Sequence, residues 1–331
     1  MKSKAGVSKG FLVPGLPHIL LAPEKNPGWT KVRKAFDRVR EEIENTDADL
    51  LIIYSTYWAS ILGHQIQALP EPEFVHVDDE FHELGSIPYK FRIDAEFAKE
   101  YQKACEARGL HARTTAYKGF PIDTGSVVAL KLLNPDNRIP AVIVSSNIYA
   151  DRAETLVLGK AARDAVEKQG RKAVAVSISS LSNRLYTDWI DPKDDKISSL
   201  KDEEWNQKFL EFLGAGRLED ASQLSRQFHK EARVNKVNNF KPIWWLAAVM
   251  GQNNRYTGRI YEYQPMLGTG AALVGLTPAD EAARDLEFDE DDPEVYAGER
   301  NVLGGSPEEL EREMELAQFH PDAEGDEGIK P

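Results

Sequence analysis

Cysteine is all but missing from this chain: Cys105 stands alone among 331 residues. No internal disulfide can form, and a reducing cytosol is the expected setting. Long apolar runs are missing as well; none approaches the roughly 18 residues that a membrane-spanning helix needs. The segment Met1 to Lys9 is short, basic and serine-rich but lacks the apolar core of a secretion signal. A soluble, cytoplasmic protein is the expectation. No basic stripe interleaved with aromatics is present, which argues against nucleic acid as a partner. A glycine-rich phosphate loop is also lacking, and Gly268-Thr269-Gly270 alone is too short a signal for a dinucleotide site.

What is present is a globular composition: 41 % hydrophobic residues, with six Trp, eleven Tyr and thirteen Phe. The net charge of −13 is unevenly spread. Residues 280–331 hold 19 acids against 4 bases, which leaves 35 acids and 37 bases elsewhere. A nearly neutral body, residues 1–276, therefore carries an acidic tail, residues 277–331. Within the tail, Ser306-Pro307-Glu308-Glu309 has an N-cap, a first-turn proline and a box glutamate, predicting a short helix over about 307–317.

The body is organised around Asp49 to Trp58. Its unbroken apolar run, Leu50-Leu51-Ile52-Ile53, is what a strand buried on both faces looks like. Tyr54 to Trp58 then fall where open α/β sheets place their chemistry. Further inner strands are predicted at Gly10 to Val13, Ile139 to Ser145, Lys172 to Ile178 and Gly268 to Val274, with another at His111 to Tyr117. Between them, Trp29, Val32, Phe36, Val39 and Ile43 recur at helical steps. A second helix runs from Asp94 with Cys105 on its apolar face, and a third opens at the capping box Asp151 to Glu154 and stops at Gly170. Asp123 or Thr124 caps a short helix, and residues 202–250 read as helical. Residues 70–93 read as a long loop with short strands, of the kind that covers a pocket. The fold expected is α/β, a mostly parallel or mixed central sheet flanked by helices.

Three strand ends carry the functional signal: Pro14-Gly15-Leu16-Pro17-His18, Tyr54-Ser55-Thr56-Tyr57-Trp58 and Ser180-Leu181-Ser182-Asn183. With Gly119-Phe120-Pro121-Ile122-Asp123-Thr124-Gly125, Ile190-Asp191-Pro192, residues 230–234 and 268–272, they resemble the class III (LigB-type) extradiol ring-cleaving dioxygenases over about residues 10–275. Within that family the likeness is to the non-catalytic α-type subunits of aminophenol dioxygenases. In the catalytic subunits the first strand ends in Pro-His-x-Pro-His, whose first histidine binds Fe(II); here Gly15 stands at that position and only His18 remains. The second strand there ends in His-Ser-Pro-His-Trp; here Tyr54 and Tyr57 replace both histidines before Trp58. Asn183 takes the place of the acid/base histidine, and Asn235 that of the glutamate ligand, to within a residue or so. The resemblance thus implies no cofactor in this chain, with Fe(II) in a homologous catalytic β-type partner subunit.

The chemistry follows. Glycine offers no ligand atom, and a phenol with an ordinary pKa near 10 is a poor donor to ferrous iron at neutral pH. Asparagine can hydrogen-bond but cannot shuttle a proton. Three readings stand at this point: a structural subunit of a heteromeric dioxygenase, a protein binding an aromatic ligand in the former pocket, and an enzyme with a relocated metal drawing on His18, His64 and a carboxylate such as Glu24. His76, His82, His111, His229 and His320 carry no ligand spacing.

Overall fold

The computed structural model describes residues 5–183, 190–234, 240–281, 286–287 and 293–298. Ten strands are β1 (Gly6–Val13), β2 (Leu50–Ser60), β3 (His64–Gln67), β4 (Glu73–Val77), β5 (Ser86–Lys90), β6 (Ala112–Thr115), β7 (Ala141–Asn147), β8 (Lys172–Ile178), β9 (Tyr256–Met266) and β10 (Thr269–Pro278) among these residues. The helices are α1 (His18–Leu21), α2 (Pro27–Glu44), α3 (Ala95–Ala107), α4 (Thr124–Leu133), α5 (Arg152–Lys168), α6 (Leu200–Gly214), α7 (Leu218–Glu231) and α8 (Lys241–Met250). Eight strands form one sheet in the order β6-β3-β7-β2-β8-β1-β10-β9, and β4 and β5 pair separately. The centre is parallel, β7, β2, β8 and β1 running together, while β10 and β9 continue it antiparallel.

Both faces of the central strands are covered, which explains the apolar run in β2. Leu50, Ile52 and Tyr54 point into a core shared with Phe97 and Tyr101 of α3 and Trp245 of α8. Leu51 and Ile53 point into the opposite core with Trp29, Val32 and Phe36 of α2 and Val127 of α4. Cys105 is buried in the first of these cores, the structural thiol that its spacing suggests. Burial of each such side chain is worth roughly 1.5–3 kcal/mol, enough to hold the helices without strong intrinsic propensity. Side-chain caps fix their starts: Asn26 accepts from Gly28 and Trp29, Asp94 from Phe97, Asp123 from Ser126 and Asp151 from Glu154.

Two strands escape the sequence reading. His64 opens β3, a strand too short to show an alternating pattern. The edge strand β9 interrupts its apolar residues with Gly258, Arg259 and Glu262, the charged make-up that edge strands use and that hides them from a hydrophobic pattern. After β10, Glu287 pairs with Arg217, the Glu294 carbonyl accepts from Arg108, and Tyr296 N–H donates to the Arg108 carbonyl. The helix expected at 307–317 lies outside the described residues.

Candidate functional site

Because β1, β8 and β2 are parallel and in register, with Val13 opposite Ile178 and Ile178 opposite Ser55, their C-terminal ends open at one place. A cavity of about 760 Å³ lies there. Its walls come from the β1, β2 and β8 ends, the start of α4, and the acidic loop after β4. The hairpin of β4 and β5 thus occupies the covering segment expected at 70–93.

Gly15 and Tyr57 occupy this cavity as an interlocked pair. A Cβ built on Gly15 would lie 2.7 Å from Cε2 of Tyr57, 2.7 Å from Cγ2 of Ile178 and 2.8 Å from Cα of Gly125. One built on Gly125 would lie 2.5 Å from Cδ2 of the same tyrosine. The Tyr57 ring is therefore cradled by two glycines, Gly15 and Gly125. Desolvation, and after it the charges of Asp78, Asp123 and Glu80, raise the Tyr57 phenol above its ordinary range, so it stays protonated at neutral pH.

Trp58 and Asn183 also line the cavity. Trp58 packs against Phe120, ring centroids 5.6 Å apart. Asn183 is set by its N–H on the Arg233 carbonyl and its amide on Ser180, and the preceding Ser182 is pinned to Asn206 by two bonds. Two residues expected in the pocket lie elsewhere. Tyr54 is fully buried, stacks on Trp245 at 5.5 Å and donates to Ser146, because strand alternation turns it into the helix-covered core. His18 is also buried, edge-on to Trp29 and Phe81, since α1 turns it away from the cavity lined by residues 14–17. Asn235 lies outside the described residues. His64 is buried at β3 with Nε2 2.8 Å from Glu154, away from the cavity walls.

Burial lowers His18 to a pKa of about 4 from 6.5, against the opposing pull of Glu83. The unfolded chain then binds the extra proton between those values, and stability falls as pH drops through that window. The loss attributable to His18 is up to about 3 kcal/mol. In urea melts taken across this window, His18→Phe is expected to fall less steeply than the parent; parallel curves would contradict the placement.

The cavity also gathers residues that the sequence reading passed over. Thr124 donates to Asp78 at 2.5 Å and lies 2.7 Å from Nε2 of His76, while Asp78 accepts from the N–H groups of Glu80 and Phe81. Asp123 accepts from Ser55 and Ser126 on Oδ1, and burial raises its carboxyl above the ordinary aspartate range. The only signal for these was indirect: an acid-rich covering loop and a capping aspartate inside a Gly-Phe-Pro-Ile-Asp-Thr-Gly turn.

Residues 11–274 match the family described as the catalytic LigB subunit of aromatic ring-opening dioxygenase. The chain belongs to the LigB family. It is 30 % identical over 270 residues to the 2-aminophenol 1,6-dioxygenase alpha subunit of a Pseudomonas species, covering 81 % of this chain and 98 % of that one. It is 28 % identical over 286 residues to the beta subunit of the same name, also from Pseudomonas, covering 81 % and 93 %. In three dimensions the LigB fold is similar to an uncharacterized Escherichia coli K12 protein, with a TM-score of 0.57 and 14 % identity, over 82 % of this chain and 99 % of that one.

LigB chemistry is generally iron-dependent, and the residues at this LigB cavity do not fit an Fe(II) centre. Gly15 has neither a donor nor room for one, Tyr57 keeps its proton, and His76 is engaged by Thr124. Among the described residues no three His, Cys, Asp or Glu side chains are placed to share a metal. A two-histidine, one-carboxylate face is what such chemistry requires.

Proposed function

We propose that this chain is the non-catalytic, α-type subunit of a heteromeric Fe(II)-dependent extradiol dioxygenase. A homologous β-type subunit holds the iron and cleaves an aminophenol- or catechol-like ring with O₂, while this chain supports it structurally. The observation that carries the reading is the Gly15–Tyr57 interlock: the family resemblance puts an iron ligand at position 15, and the Tyr57 ring takes the space that any side chain there would need. The paired likeness to alpha and beta subunits of one dioxygenase supports the heteromeric part. Exposed apolar side chains at the same end of the sheet, Ile61 and Leu62 after β2 and Tyr149 after β7, are consistent with a protein partner there.

Purified alone under anaerobic reconstitution with Fe(II), the chain is expected to retain no stoichiometric iron and to leave 2-aminophenol and catechol intact. Co-expressed with a homologue possessing both histidine motifs and the glutamate, it should co-purify and raise that subunit's turnover or its iron retention. Ring cleavage by the isolated chain would overturn the proposal, as would a β-type subunit indifferent to its presence.

A further inference from the structure

The hairpin of β4 and β5 leaves one of its two edges open. β4 pairs with β5 alone, antiparallel, with Phe74 opposite Tyr89 and His76 opposite Ile87. The Phe91 N–H donates to the Pro72 carbonyl, and bonded pairs in an antiparallel ladder fall at every second residue. Phe74 and His76 therefore spend their backbone groups on β5. Glu73, Val75 and Val77 turn theirs to the other edge, where those groups find no hydrogen-bond partner among the described residues. The side chains of these three residues are exposed too, Val75 at 64 % and Val77 at 47 %. The β5 edge is guarded: Pro88 has no N–H to offer, and the Lys90 carbonyl accepts from the Asn137 side chain. An unguarded strand edge beside exposed valines is the arrangement that accepts an added strand. Its flanks say of what kind. Asp78, Asp79 and Glu80 follow β4 directly and form part of the cavity wall. Asp79 and Glu80 have no ion-pair partner among the described residues, while Lys90 answers Glu71 and Glu73 at the other end. A second copy pairing antiparallel about Val75 would set Glu71 of each chain opposite Asp79 of the other, like charge against like. The edge is complementary instead to a strand of a different chain, with a basic residue beyond its apolar stretch.

We infer that β4 takes an extended strand of the catalytic β-type subunit as a third strand of this hairpin. That strand carries apolar side chains against Val75 and Val77 and a lysine or arginine against Asp79 and Glu80. This placement rests on the heteromeric reading above, and it puts the partner on the cover of the LigB cavity. His76 and Asp78 both meet Thr124 at the start of α4, so a strand seated on β4 bears on the cavity wall as well.

The test uses the full chain and the co-expressed homologue possessing both histidine motifs and the glutamate, with affinity read by analytical ultracentrifugation. Val75→Pro removes an outward N–H and no bond to β5, so the variant should keep the parent's circular dichroism and melting temperature. Its affinity for the partner is expected to fall by at least about tenfold, while Val75→Thr, which keeps the N–H, should stay within about threefold of the parent. Asp79→Lys combined with Glu80→Lys should weaken binding by about tenfold at low salt and by less at high salt. In hydrogen exchange, the amides of Glu73, Val75 and Val77 should exchange freely in the isolated chain and slow by at least about tenfold in the complex. A folded Val75→Pro chain that binds as the parent does would overturn the inference, as would a charge-reversed chain that binds unchanged. So would exchange at those three amides that the partner leaves unaltered, and that measurement decides the matter should Val75→Pro fail to fold. A parent chain that does not bind the homologue at all would sink the heteromeric reading and this placement together, a result distinct from either of the others.

Discussion

Gly15→His should destabilise this protein by upwards of about 3 kcal/mol, and even Gly15→Ala by about 1–3 kcal/mol. The backbone at position 15 is not the obstacle, since Gly15 is not among the residues of positive φ. Space is. The added Cβ meets a tyrosine ring, an isoleucine methyl and the Cα of Gly125, all below 3 Å. The ring can move, but the glycine backbone of α4 cannot without disturbing a helix whose residues are almost all buried. Tyr57→Ala should therefore relieve part of the strain. In a double-mutant cycle by urea denaturation, Gly15→Ala with Tyr57→Ala is expected to cost about 1 kcal/mol or more less than the sum of the single changes. A neutral Gly15→Ala, or strict additivity, would break the interlock argument. The consequence for function is direct: with Tyr57 in place, no side chain, a metal ligand included, fits at position 15 by one substitution.

Most of the architecture could be read from hydrophobic pattern and caps. Leu50 to Ile53 had to be a doubly buried strand, and the spacing from Trp29 to Ile43 had to be a helix. Asp94, Asp123 and Asp151 did cap the helices that follow them. What the pattern could not give was phase beyond a bulge. Strict alternation puts residue 58 on the face of Leu50, Ile52 and Tyr54. Between Ser55 and Ala59, however, β2 slips against β7, so Trp58 joins the core of Leu51 and Ile53 instead. That slip carries Tyr57 and Trp58 to the cavity. Asp123 illustrates a second limit: its role as a cap was visible locally, but its unpaired oxygen arises only when Ser55, from 68 positions earlier, takes up the other one.

Tyr54→Ala should cost about 3–5 kcal/mol, as large aromatic truncations in cores do. Tyr57→Ala, three positions on in the same strand, should cost under about 2 kcal/mol. Both are tyrosines of one strand, so sequence treats them alike. Their surroundings do not. Tyr54 is 0 % exposed, stacked on Trp245, with its hydroxyl on Ser146; Tyr57 is 39 % exposed at the cavity. Removing Tyr54 leaves a void between β2 and α8 that surrounding residues cannot fill without moving Trp245, whose indole N–H is tied to Tyr101. Removing Tyr57 enlarges a cavity already open to water and frees Gly15 and Gly125 from its ring. Chemical denaturation of the two variants separates a tyrosine that belongs to the core from one that fills space at the cavity. Equal losses would mean that Tyr57, too, is chiefly a core residue, and the interlock would then owe nothing to the cavity.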